Sequence, residues 1–315
     1  ASNASNVVLS NIVFKNAYHA FPGDLNWGGA IIWDGVNGTI INCTFINCYS
    51  VEAAAILWNG DGGTVLNCNF DKCTPRDNAG SIKWVGNKGT VSGSNFANCH
   101  VVKGQGGAIV WEGADGTIDN SNFANLTAES VGYTTGGGAI YWSGENGRIS
   151  NSNFANNSIN WQGGAINLHN VNGIITGCNF FNCTAGGDGG AVYIHSENCT
   201  VSDSSFTNCN NGAVMLNNVN GTVKNSNFFN CTTDNSGGAI RVFSENCTVS
   251  NSNFFNCNSS SYGGAVYWFS SNGILTDCTF DNCHANNHGA VDWSGNNGII
   301  LNSNFTNCYS TSGSG

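Results

Sequence analysis

The residues of this 315-residue chain that can do chemistry are fifteen Cys, six His and nineteen Asp or Glu, and their spacing decides which chemistry is open to them. Nine Cys stand three residues after a Phe: Cys48, Cys73, Cys99, Cys183, Cys209, Cys231, Cys257, Cys283 and Cys308. Four more, Cys43, Cys68, Cys178 and Cys278, stand two residues before one. The first column also holds Leu126 and Asn157, and the second also holds Ser94, Ser121 and Ser152, so both read as small or apolar inward positions with thiols as packing. Disulfides are the alternative that a surface protein with many Cys raises. Cys199 and Cys247 replace a turn Gly in two near-identical stretches, Ser196 to Thr200 and Ser244 to Thr248. No Cys-x-x-Cys pair exists and the His lie outside the Cys columns, so no metal site and no cofactor are expected.

Glycoside hydrolysis needs two carboxylates roughly 5 to 9 Å apart. Asp203 and Asp277 share a repeat position, as do Asp34 and Glu112, but each pair is three repeats apart, so no facing pair emerges. His169 and His195 share one outward position in adjacent repeats, with Phe243 and Phe269 further along, and make a small polar and aromatic face. A nucleophile elbow and a phosphate loop are missing from the sequence. On these grounds the chain is expected not to be an enzyme, with a polysaccharide lyase or hydrolase as a minor alternative.

What positions these residues is a repeat. Phe recurs at Phe45, Phe70, Phe96, Phe123, Phe154, Phe180, Phe206, Phe228, Phe254, Phe280 and Phe305, a mean period of 26, after a degenerate leading repeat at Phe14. Upstream of each Phe run an Ile/Val column (Ile31, Ile56, Ile82, Ile109) and, two residues on, a large apolar column (Trp33, Trp58, Trp84, Trp111, Trp142). The residue between them is unrestricted, as at Ile32, Lys83, Tyr141, Asn167, Arg241 and Asp292, which is the alternation of a strand with one buried face. Asn-Gly turns follow (Asn37-Gly38, Asn146-Gly147, Asn172-Gly173), where both residues tolerate positive φ. Two residues after the Phe stands Asn in all repeats but the one with Lys72, which predicts a side-chain amide ladder, with Asn182 and Asn230 buried in it. Two or three short strands per repeat and no helical segment describe an all-β parallel β-helix, a solenoid of about eleven 26-residue coils. Residues 1–311 form one domain, with 1–27 a degenerate first coil and candidate cap and 312–315 a linker or tail.

Gly-Gly-Ala-Ile at Gly106 to Ile109, Gly137 to Ile140, Gly163 to Ile166 and Gly237 to Ile240, with the Phe-x-Asn-Cys segment, resembles the repeats of chlamydial polymorphic outer-membrane proteins. The Asn-rich form, with Trp after Gly-Gly-Ala-Ile, resembles adhesin-like surface proteins of methanogenic archaea. The resemblance covers nearly the whole chain and implies a right-handed β-helix displayed outside the cell, an adhesin-like stalk that meets a cell-surface protein or glycan. The alternative role is a sheath or filament built by self-association.

Two long segments between repeats would carry that recognition, with Tyr18, Phe21 and Trp27 in the first, Glu129 and Tyr133 in the second, and Trp161 on the same edge. Asn37, Asn198, Asn220, Asn246 and Asn258 are the glycosylation candidates among the Asn-x-Ser/Thr triplets. A net charge of −10 with no basic cluster argues against nucleic acid as a partner. No apolar run reaches the roughly 18 to 20 residues of a membrane helix, so no membrane span is expected.

Overall fold

The computed structural model describes residues 4–19, 28–130 and 136–313, and among them there is no helix. Three long parallel sheets run the length of the rod. One, of 11 strands from Ile31–Trp33 to Val291–Trp293, is called here the Trp sheet. The second, of 12 strands, runs from Val8–Ser10 to Ile299–Leu301, and the third, also of 12, from Val13–Lys15 to Asn304–Thr306. Each strand pairs with its equivalents one repeat before and after, in register, so that Trp58 opposes Trp84 and Phe96 opposes Phe123. This is a parallel β-helix, as the repeat predicts.

The strands stay three residues long because every coil turns three corners. Asn37, Asn42 and Asn47 bend the first complete coil at φ of 54°, 54° and 51°, and the same three positions recur down the rod. Left-handed backbone is costly for most residues and least so for Gly, Asn and Asp, which accounts for much of the Asn content. The sequence reading expected one Asn bend per coil and placed its ladder inside. The ladder exists, with Asn182 Nδ2 donating to Asn156 Oδ1 at 2.9 Å and Asn256 Nδ2 to Asn230 Oδ1 at 2.6 Å. It runs on the outside, however: Asn182 is exposed and Asn230 half-buried, because a left-handed corner turns its side chain away from the core.

Inside, the Phe rings stack from Phe14 to Phe305, for example 4.7 Å between Phe45 and Phe70 and 4.6 Å between Phe280 and Phe305. Trp33, Trp58, Trp84, Trp111 and Trp142 form a second stack at 4.5 to 4.8 Å. Each fully buried ring removes enough apolar surface from water to contribute about 1.5 to 3 kcal/mol.

That Trp stack explains the turn Gly differently from the sequence reading. In Asn37-Gly38 only the Asn takes positive φ. A Cβ on Gly38 would lie 2.1 Å from the Trp33 ring, and on Gly89 2.3 Å from Trp84, so Gly is needed for close approach rather than for φ. Cys199 and Cys247 stand in coils where the Trp is replaced by Ile194 and Val242, which leave room for a side chain.

The two Cys columns are likewise more than space filling. In the second, the side chain accepts a backbone N–H from the coil before: Cys68 N donates to Ser94 Oγ at 3.1 Å and Cys43 N to Cys68 Sγ at 3.4 Å. In the first, the side chain donates to the Phe carbonyl one coil back, as Cys183 does to Phe154 O at 3.6 Å. Asn157 does the same, to Phe123 O at 3.0 Å. A polar hydrogen on an inward side chain is what unites Cys and Asn at this position, and Leu126 is the exception.

Candidate functional site

Thr and Asn columns repeat monotonously on the outer faces of the second and third sheets, such as Thr39, Thr64, Thr90 and Thr117, or Asn69, Asn95, Asn122 and Asn153. The Trp sheet differs. Its outward positions read Leu57, Lys83, Val110, Tyr141, Asn167, Tyr193, Met215, Arg241, Tyr267 and Asp292, and the column just beyond reads Glu112, Ser143, His169, His195, Asn217, Phe243 and Phe269. The first column is sunk beneath the segments that lead into each strand: Asn167 Nδ2 donates to Gly136 O at 3.1 Å, and Tyr193 is only 4% exposed. The second is more open, exposed at Glu112, His195 and Phe269, the last 55% exposed, and half-buried at the others.

The centre of this face joins four successive coils. Asn217 Nδ2 donates to Tyr193 Oη at 2.8 Å and lies 3.2 Å from His195 Nδ1. With Nδ1 accepting from the amide, the neutral His195 ring carries its proton on Nε2. His195 stacks on His169 at 4.6 Å, and His169 leans on Tyr141 at 5.7 Å. Burial, and then the neighbouring His195, lower the His169 pKa from 6.5, and its Nε2 is buried without a partner. Burial also raises the Tyr193 hydroxyl above its ordinary value. Further along, Arg241 pairs with Asp188 and lies 5.2 Å over the Phe243 ring, which meets Tyr267 and Phe269 at 5.7 and 5.6 Å.

At the other end, Lys83 Nζ lies 2.5 Å from Glu52 and 3.3 Å from Glu112. Burial works against this ammonium, but the two carboxylates outweigh it and raise its pKa. The sequence reading found no facing acids, because Glu52 sits in an irregular connection outside the columns. Two carboxylates sharing one ammonium can be no more than about 6 Å apart at these oxygens, so the two acids do share one site. Lys83, however, occupies the space between them, and the group is an ion triad.

The residues expected to bind a ligand are spread along the rod. Tyr18 is 72% exposed and stacks on Tyr49 at 5.1 Å in the first coils. Glu129, exposed, lies 3.9 Å from His100. Trp161 is half-buried one coil beyond Glu129. Phe21, Trp27 and Tyr133 lie outside the described residues. Asn37, Asn198, Asn220 and Asn246 are exposed corner residues, and Asn258 is half-buried. The amide nitrogens of Asn198 and Asn220 are engaged in the ladder, at 3.3 and 3.0 Å. On a neighbouring edge, the short eighth coil leaves a polar groove of about 640 Å³ lined by Thr232, Asn258, Ser259 and His284.

Comparison with known proteins follows from this geometry. The family described as "Right handed beta helix region" matches residues 29–232 and 189–315. The chain belongs to the right-handed β-helix family. No curated protein matches it in sequence. Among solved structures it is similar to the alginate lyase AlyF-OU02 in complex with G6, at 13% identity and TM-score 0.59 over 96% of this chain and 79% of that one. A PL6 alginate lyase in complex with a trisaccharide gives 13% identity and TM-score 0.57 over 97% and 79%. PfbA, a surface adhesin of Streptococcus pneumoniae, gives 13% identity and TM-score 0.41 over 99% and 75%.

One expectation is corrected at this point. The sequence reading took the chain not to be an enzyme, yet its fold is the one on which two alginate lyases are built. A search for paired carboxylates tests for hydrolases, and lyases eliminate by other groups, so that search gave no ground for excluding catalysis. Among the described residues, no helix is long and apolar enough to cross a membrane.

Proposed function

We propose that this β-helix is a polysaccharide-active protein that holds an extended glycan along the outer face of its Trp sheet. His195 is the proton-transfer group in this reading, with His169 and Asn217 positioning it. The observation that carries the reading is the joined group of Tyr193, Asn217, His195 and His169, built from three successive coils on the one face where the repeat abandons its own pattern. Asn217 turns the Nε2 hydrogen of His195 toward solvent, where a sugar oxygen can receive it. The exposed ring of Phe269 and the half-buried ring of Phe243 offer stacking for sugar faces, and the charge-paired Lys83 and Arg241 stand toward the two ends of the face. The likeness to two alginate lyases supports an acidic polysaccharide as the first class to try.

The test is a panel of uronate-containing and neutral polysaccharides, read separately for binding and for product, the latter by new reducing ends and by the ultraviolet absorbance of an unsaturated uronate. His195→Ala is expected to cut product formation by roughly 10² to 10⁴-fold with binding retained. Phe269→Ala is expected to weaken binding. No binding to any member of a broad panel overturns the proposal.

A second reading is adhesion: an extracellular rod, displayed on a cell surface, that holds a glycan or a neighbouring protein. The specific observation favouring it is aromatic surface away from the Trp sheet, with Tyr18 72%, Phe181 49%, Phe229 43% and Phe255 41% exposed. Binding without product, lost on Phe229→Ala and Phe255→Ala rather than on Phe269→Ala, is the outcome that selects it.

A further inference from the structure

Six successive coils place a thiol at one inward position: Cys183, Cys209, Cys231, Cys257, Cys283 and Cys308, all buried but the last. The Phe rings three residues earlier follow one another at 4.7, 4.8, 4.9, 4.6 and 4.6 Å, which measures the rise from coil to coil. All six thiols adopt one orientation, because each sulfur sits within hydrogen-bond reach of the same two carbonyl oxygens, to either of which its one hydrogen can go. These are the Phe carbonyl one coil back, as for Cys231 to Phe206 O at 3.6 Å, and the carbonyl two residues before itself, as for Cys231 to Phe229 O at 3.7 Å. Cys209, Cys257, Cys283 and Cys308 repeat the pair. The sulfurs therefore repeat at about the same rise as the rings.

This spacing disfavours disulfides. A disulfide needs sulfurs about 2.05 Å apart and β-carbons about 3.8 Å apart, with the two Cβ vectors turned toward each other, whereas stacked coils hold them parallel. It suits a different bond. Two metal–sulfur bonds of about 2.3 Å laid end to end span about 4.6 Å.

We propose that this column binds soft monovalent cations, of the copper(I) or silver(I) class, one in each gap between neighbouring sulfurs. In each step a thiol S–H bond breaks, its proton leaves to solvent, and the cation forms one bond to that sulfur and one to the next. No electron is transferred. One proton leaves for each cation that enters, so the core stays neutral, as burial in an apolar column requires. Thiolates select soft cations. Zinc fits poorly, since it asks for four ligands around one point, and among the described residues no three of His, Cys, Asp and Glu converge so as to hold a metal ion. Cys48, Cys73 and Cys99 form a second, shorter run, and Leu126 and Asn157 separate the two. The sequence reading set metal aside for want of a chelating motif within one stretch of chain. The column is made between coils, where no local motif can record it.

The test is an anaerobic titration of the fully reduced protein with silver(I), and with copper(I) against a chromophoric chelator, brought to equilibrium and repeated with zinc(II). X-ray absorption then reads the coordination shell. The expected result is binding to a count that matches the gaps, a two-coordinate shell of sulfur alone, and no competition from zinc. In the Cys231→Ser, Cys257→Ser double variant, the gaps 209–231, 231–257 and 257–283 should empty while the others stay filled. Uptake by Cys308 alone, a shell containing nitrogen or oxygen, or a count unchanged in the variant would overturn the proposal. The absorption measurement on the unaltered protein decides the matter even if the double variant does not fold.

Discussion

Residue by residue, the repeat is held by close approaches more than by charge. Gly89→Ala would push a methyl to 2.3 Å from the buried Trp84 ring, so a cost of about 1 to 3 kcal/mol is expected, read as a lower denaturation midpoint. Gly221→Ala should cost far less, because the nearest atoms are the Leu216 methyl groups at 3.3 Å, which can rotate aside. His169 gives a pH test. Its folded pKa lies below 6.5, so the unfolded chain takes up the proton first; the stability it contributes is intact above about pH 6.5 and lost as pH falls through the folded value. His169→Gln should therefore flatten the acid limb of stability against pH, measured as denaturation midpoints across that range. At this scale the sequence was partly misleading: Asn-Gly reads as a flexible turn, and only the Trp five residues earlier reveals why the Gly is there. The Cys columns read as filler because their hydrogen bonds reach into another coil.

For strands and corners, the decisive element is the left-handed bend. Asn182→Gly keeps the backbone free and loses one amide rung, whereas Asn182→Ala must also adopt φ near 51°. The Ala variant is expected to lose about 1 to 2 kcal/mol more than the Gly variant, by chemical denaturation. Strand positions were legible, since Ile-x-Trp and Ser-x-Phe alternate with period 2 and the inward residues recur in every coil. The candidate site was half legible. His169 and His195 stood out as adjacent outward residues, but Tyr193 and Lys83 fell in the column that strand alternation leaves unrestricted. Asn217 and Glu52 join them only through the stacking of coils. Alternation reports which face is buried and is silent about what the other face carries.

For the whole molecule, stability should be close to a sum over coils and their interfaces. Deleting the stretch from Cys183 to Asn208 joins Asn182 to Cys209 in unchanged register. The shortened rod is expected to fold with the same circular dichroism per residue and a lower midpoint, as one stacking interface is lost. A chain with a single closed core would not survive such a cut. The overall shape was the most legible feature of all, because a repeat written eleven times leaves little else for it to be. The indole stack carries a further consequence. Five parallel rings from Trp33 to Trp142, each 4.5 to 4.8 Å from the next, are too close to absorb light independently. Their excited states mix, and energy absorbed at one ring travels along the row. This half of the rod should therefore show a near-ultraviolet absorption band shifted from that of an isolated indole and fluorescence that keeps its polarisation while the energy migrates, because neighbouring rings lie within 8° of parallel, and Trp84→Leu, by interrupting the row, should divide it into two shorter antennas.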